Sequence, residues 1–198
     1  MILNSVATWA GRVFHPFMLP IYLLLDILVI SPYGRIVPLI SKVAIWGTVL
    51  TTAILLPSVV IFILKRRGVI KGVSLDNRED RVWPLLSVGV FMSLGYLLLM
   101  LFPMTEIFIR LLFTVAIQVL LVSVVSLYWK ISMHAVAWGA MCGIFYVLGP
   151  LFRDAFICSV VISGIVISSR LLIGAHNGWQ VTAGYVQGVL LTIILLLL

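Results

Sequence analysis

Long apolar runs separated by short polar stretches dominate the chain. Seven such segments recur, at about residues 16–31, 43–64, 85–102, 107–128, 135–150, 155–173 and 181–198. A helix needs about 20 apolar residues to cross the hydrocarbon core of a bilayer. The runs lack the alternation of a barrel strand, so the pattern predicts an all-α, polytopic transmembrane bundle. Because the first and fifth segments are short, we expect six to seven spans.

Composition supports this class of protein. The chain of 198 residues is 63% hydrophobic and 10% charged, against about 25% charged residues in an average soluble domain. The apolar segments continue to Leu198, so we expect a single integral membrane domain over residues 1–198. The net charge of +7 does not indicate a nucleic-acid partner, because a nucleic-acid binder needs a basic surface in water, whereas most of this surface must face lipid.

Three polar islands interrupt the apolar pattern. They are KRRGVIKGVSLDNREDRVWP (residues 65–84), WKISMHA (129–135) and SSRLLIGAHNGWQ (168–180). Successive spans cross the membrane in opposite directions, and two predicted spans separate each island from the next. We therefore expect the three islands on one membrane face.

The islands contain chemistry suited to a phosphate ester. Arg and Lys side chains neutralise phosphoryl oxygens, one histidine can attack phosphorus and another can protonate the departing oxygen. No metal-binding carboxylate cluster lies near them in sequence, so no metal or other cofactor is expected. Each residue also has a structural interpretation: His134 suits the headgroup level and Arg170 can reach the interface from a helix end. Grouping on one face favours the functional interpretation.

The islands resemble the three motifs of the type 2 phosphatidic acid phosphatase superfamily, KxxxxxxRP, PSGH and SRxxxxxHxxxD. The third motif fits at Ser169, Arg170 and His176, with Gln180 where the family has Asp. The second is ISMH, which matches at Ser132 and His134. The first matches at Lys71 and Arg78, with Glu79 in place of Pro, and Arg81 offers a rival register. The resemblance covers residues 71–180.

The resemblance implies a divergent membrane lipid phosphatase of phospholipid metabolism, with a catalytic core at about residues 65–198. His176 would form a phosphohistidine, and His134 would protonate the leaving group. The implied substrate is a lipid phosphate or a polyprenyl diphosphate, hydrolysed without a metal. The implied phosphate-binding residues are Lys71, Arg78 or Arg81, Ser132, Ser169 and Arg170.

Of the differences from the family motifs, Gln180 in place of Asp has the greatest consequence for catalysis. On a helix, residues four apart are neighbours on one face, so Gln180 can reach His176. Its carbonyl can accept the imidazole N–H, although it brings no negative charge. We therefore expect weakened rather than abolished activity.

Two alternatives remain open. The altered motif positions also fit an inactive relative that binds an anionic lipid headgroup, and Asp26 within a predicted span is the one feature that favours a small transport component. Residues 1–64 have no assigned role, and His15 is expected to be structural.

The membrane face of the site and the oligomeric state are also open. Nine of the thirteen Lys and Arg residues fall on the face of the islands, which by charge bias favours the cytoplasmic side. The resemblance favours the extracytoplasmic side of a bacterial cytoplasmic membrane, which we prefer.

Overall fold

A computed structural model describes residues 2–72, 78–102 and 106–198, and within these ranges it contains helices and no strand. Six of the described helical segments are long and apolar enough to cross a membrane. They are Leu3–Ile30, Leu39–Arg66, Arg78–Leu99, Glu106–Tyr128, Pro150–Leu172 and Gly178–Leu197. The predicted all-α bundle of six to seven spans is confirmed.

The α-helices are α1 (Ile2–Val13), α2 (Leu19–Leu25), α3 (Leu39–Val49), α4 (Leu56–Arg66), α5 (Arg78–Leu99), α6 (Glu106–Tyr128), α7 (Met133–Leu148), α8 (Arg153–Leu172) and α9 (Gly178–Leu197). Short π-helical turns follow α2 and α3, at Asp26–Ile30 and Leu50–Leu55. The fifth predicted segment corresponds to α7, which has 16 residues and falls short of a full span.

The N-terminal part of the chain differs from expectation, because its apolar segment begins at Leu3 rather than residue 16. A break divides this segment: α1 ends at Val13, and Pro16 opens a 3-10 turn. Proline disfavours helical geometry in the residue before it and donates no N–H. Carbonyls at the end of a helix need other donors. Val13 O accepts from the Tyr22 hydroxyl at 2.8 Å, and Phe14 O accepts from the Trp138 indole N–H at 3.0 Å.

The chain divides into two compact units, Met1–Ile36 with Ile131–Leu198, and Val37–Lys130. The second unit is built on the packing of α5 against α6, with α3 and α4 on α5. Ser123 in α6 donates to Val82 O in α5 at 3.1 Å, and Arg78 donates to Tyr128 O at 2.9 Å. The N-terminal end of α5 therefore lies beside the C-terminal end of α6.

In the first unit, α7 and α9 pack closely along a line of glycines. A Cβ on Gly184 would lie 2.9 Å from Ser132 O, and a Cβ on Gly143 would lie 2.9 Å from Val189 O. From the first of these contacts to the second, the residue numbers increase on both sides, from 132 to 143 and from 184 to 189, so α7 and α9 run parallel. Their N-termini meet where the backbone N–H of Ser132 donates to Gln180 O at 3.2 Å.

Large apolar side chains cover much of the exposed surface. Ile40, Trp9 and Trp179 are 77%, 66% and 80% exposed. Soluble monomers rarely expose extended apolar surface. With the six apolar helices, this surface indicates an integral membrane protein in a lipid bilayer.

Candidate histidine and arginine site

The connection between α8 and α9 places His176. Helix α8 ends in a Schellman motif: Gly174 N–H donates to Leu171 O at 3.0 Å, and Ala175 N–H donates to Arg170 O at 3.1 Å. The motif needs a left-handed residue, which glycine adopts without a Cβ clash, and Gly174 has φ of 66°. His176 follows two residues later, so the end of α8 fixes where this side chain leaves the backbone.

A capping box opens α9 immediately after His176. The Asn177 side chain accepts from Gln180 N–H at 3.0 Å, and Gln180 Oε1 accepts from Asn177 N–H at 3.2 Å. This arrangement satisfies backbone N–H groups that have no partner in the first helical turn. It also holds the Gln180 amide in one orientation, because a backbone N–H can donate only to the oxygen end of the amide.

The orientation of Gln180 determines the tautomer of His176. Gln180 Oε1 lies 3.0 Å from Nδ1 of His176, and since this oxygen can only accept, Nδ1 carries the proton in the neutral ring. The lone pair is then on Nε2. His176 is nearly buried, with 9% of its surface exposed. In the neutral ring, Nε2 is therefore the nitrogen with the lone pair that a nucleophile needs.

Arg170 lies in the last turn of α8, where its guanidinium donates to a side chain of the same helix and to a backbone carbonyl of α1. Its Nε donates to Ser169 Oγ at 3.3 Å, and its Nη2 donates to Ala7 O in α1 at 3.3 Å. Ser169 itself is buried and donates to Val166 O at 2.7 Å. Ser169 thus contacts the guanidinium to which the family resemblance gives a phosphate-binding role.

His134 lies in the first turn of α7, which Ser132 caps by accepting from Ala135 N–H at 3.4 Å. Its Nε2 lies 3.1 Å from Gly11 O in α1, and its ring meets the edge of the His15 ring with 5.2 Å between centroids. Burial, followed by the charges of Arg170, His15 and His176, lowers the pKa of His134 to about 3, so this ring is neutral near pH 7 in the free protein. The second and third islands thus meet at one end of this unit.

Six of the nine residues predicted for the site belong to this cluster in the first unit: Ser132, His134, Ser169, Arg170, His176 and Gln180. The other three, Lys71, Arg78 and Arg81, belong to the second unit. Lys71 is exposed, and Arg78 pairs with Glu79 at 3.6 Å. Arg81 is 4% exposed. Residues 73–77, between Lys71 and Arg78, lie outside the described residues.

Helix α1 contributes residues that the sequence interpretation did not place at the site. Gly11 and Ala7 contact His134 and Arg170 through their carbonyls, and His15 packs on His134. The available signal was the small-residue face of Ala7, Ala10 and Gly11, followed by the helix-ending Pro16. Across residues 2–72, 78–102 and 106–198 no group of three His, Cys, Asp or Glu side chains could hold a metal ion.

Comparison of the chain with protein-family models, curated proteins and solved structures finds no match. Function is therefore inferred from the chemistry of the cluster.

Proposed function

We propose that the protein hydrolyses a lipid phosphate monoester or diphosphate through a phosphohistidine intermediate, without a metal ion. The main support is the contact of Gln180 with His176, which leaves Nε2 of the buried imidazole unprotonated. His134 and Arg170 lie in the same cluster. These are the groups that a histidine-based phosphoryl transfer requires: a nucleophile, an acid and a fixed positive charge.

In the proposed reaction, the lone pair of His176 Nε2 attacks phosphorus while the bond to the leaving oxygen breaks. That oxygen takes a proton from the protonated form of His134, which the negative charge of the bound phosphate ester favours, and Arg170 stabilises the charge on the phosphoryl oxygens. Water then attacks the phosphohistidine and passes a proton to His134. Phosphate leaves, and both histidines return to their starting protonation states.

Phosphate release from purified protein tests this function. We expect release from phosphatidate, phosphatidylglycerophosphate or a polyprenyl diphosphate with a chelator present, and no release by His176→Ala. Brief incubation with ³²P-labelled substrate should give an acid-labile, base-stable label on wild-type protein that His176→Ala lacks. A wild-type protein inert on all three substrates would contradict the proposal.

A second candidate is an inactive relative that binds an anionic lipid headgroup. It is favoured by the internal hydrogen bonds of His134 to Gly11 O and of Arg170 to Ala7 O, which occupy donors that a phosphoryl group would use. Binding of phosphatidate in nanodiscs that depends on Arg170, with no phosphate release, would select this function.

We also propose that the site faces the extracytoplasmic side of a bacterial cytoplasmic membrane. Asn177 is exposed beside His176 and suits a cysteine reporter. Cys158 is exposed as well, so the Asn177→Cys variant is made in a Cys158→Ser background. Labelling of intact cells by a membrane-impermeant maleimide is expected, and labelling only after permeabilisation would place the site in the cytoplasm.

A further inference from the structure

Gly11 in α1 contacts both His134 and Arg170. Its carbonyl lies 3.1 Å from Nε2 of His134. On its other side, the absence of a side chain leaves the space that the Arg170 guanidinium occupies, since a Cβ built on Gly11 would overlap the Nη2, Nη1 and Cζ atoms. The same guanidinium continues to Ala7 O, one helical turn earlier in α1. A single backbone position thus shapes the surroundings of two site residues.

The Gly11 carbonyl also selects the tautomer of His134. A carbonyl oxygen only accepts, so Nε2 of His134 carries the proton and Nδ1 carries the lone pair in the neutral ring. When the ring is protonated, Nδ1–H is the proton free to leave, while Nε2–H remains on Gly11. After transfer of that proton to the leaving oxygen, His134 is in the neutral tautomer that Gly11 already holds.

We propose that Gly11 is a positioning residue of the site: its carbonyl orients His134 for proton transfer from Nδ1, and its missing side chain admits Arg170. The inference rests on the proposed phosphatase function. It assigns a role to the N-terminal helix, for which the motif residues gave none.

The test compares Gly11→Ala with Gly164→Ala. Gly164 lies in α8, the helix of Arg170, and a Cβ there meets no atom within 4 Å among the described residues. Both changes add the same methyl group and gain similar helix propensity, about 1 kcal/mol. We expect kcat/KM to fall about tenfold or more in Gly11→Ala, because small displacements of catalytic groups are costly. Gly164→Ala should match wild type.

Two measurements separate positioning from a general loss of structure. Inhibition by inorganic phosphate should weaken in Gly11→Ala, since Arg170 is displaced. The ratio of alkyl phosphate to p-nitrophenyl phosphate hydrolysis should also fall, because the aryl leaving group depends less on an acid. If the wild type is active and Gly11→Ala leaves both the phosphate inhibition and the ratio of alkyl to aryl hydrolysis unchanged, the positioning role of Gly11 is overturned and the proposed function is not. An inert wild type would overturn the proposed function and this inference with it.

A measurement on the unmodified protein covers the case in which Gly11→Ala does not fold. Long-range ¹H–¹⁵N spectra of ¹⁵N-histidine protein, assigned with His134→Gln, report which ring nitrogen carries the proton. We expect neutral His134 to be protonated at Nε2. A neutral His134 protonated at Nδ1 would refute the role of the Gly11 carbonyl.

Discussion

Replacement of Gln180 tests how this site works without the acidic residue of the resembling motif. Gln180 Oε1 accepts from Nδ1 of His176 at 3.0 Å and from Asn177 N–H at 3.2 Å. Methionine has nearly the same length and removes the acceptor. Glutamate keeps the acceptor, preserves the capping box and adds a negative charge.

The expected rates follow from the charge that develops on His176. When Nε2 bonds to phosphorus the ring becomes cationic, and the bond to Gln180 becomes a hydrogen bond to a charged group, worth about 1.5–3 kcal/mol. Its loss in Gln180→Met should lower kcat about 10- to 150-fold. An ionised acceptor makes such a bond roughly twice as strong. Gln180→Glu should therefore raise kcat, by about tenfold for each 1.36 kcal/mol gained.

The assay is single-turnover phosphate release at saturating lipid substrate, which separates chemistry from product release. Gln180→Met also loses half of the capping box, so Asn177→Ala serves as the control. That variant loses the Asn177 side-chain cap, at a cost of about 1 kcal/mol in stability, and keeps Gln180 Oε1. A wild-type rate in Gln180→Met, or a slower rate in Gln180→Glu, would refute the role of Gln180.

Three further predictions concern other parts of the first unit. His134→Gln should lower alkyl phosphate hydrolysis about 10²- to 10⁴-fold while p-nitrophenyl phosphate hydrolysis falls less; equal losses would exclude an acid role. Gly174→Ala should destabilise the protein by about 1–2 kcal/mol, the cost of a left-handed residue with a Cβ, visible as a lower Tm, and an unchanged Tm would contradict this. Gly188→Val places side-chain atoms against Val136 O and Ala140 N and should cost about 1–3 kcal/mol; Gly164→Val, in open space, should not show this packing loss.

The sequence was sufficient to predict the helical bundle, because a transmembrane helix needs a long apolar run and such runs are directly visible in the sequence. Helix α1 was not predicted, since Arg12 and Pro16 interrupt its hydropathy and twelve residues are too few for a span. Its contacts depend on how helices pack, which hydropathy does not encode. The close packing of α7 and α9 did leave a signal, the GxxxG patterns at residues 139–143 and 184–188.

The motif residues were partly predictable for a local reason. His176 and Gln180 are four apart at the start of a helix, so their contact follows from helix geometry, and Asn177 with Gln180 fits a capping box that fixes the amide. The contact of His134 with Gly11 joins residues 123 positions apart. No local pattern encodes such a pair, because it exists only after α1 and α7 have packed.

The link between α8 and α9 limits how this protein can vary in length. Ala175 and His176 alone stand between Gly174, which closes α8, and Asn177, which opens α9. An added or deleted residue would turn the imidazole away from Gln180 or undo one of the two helix ends. Insertions and reporter tags therefore belong outside the segment from Gly174 to Asn177.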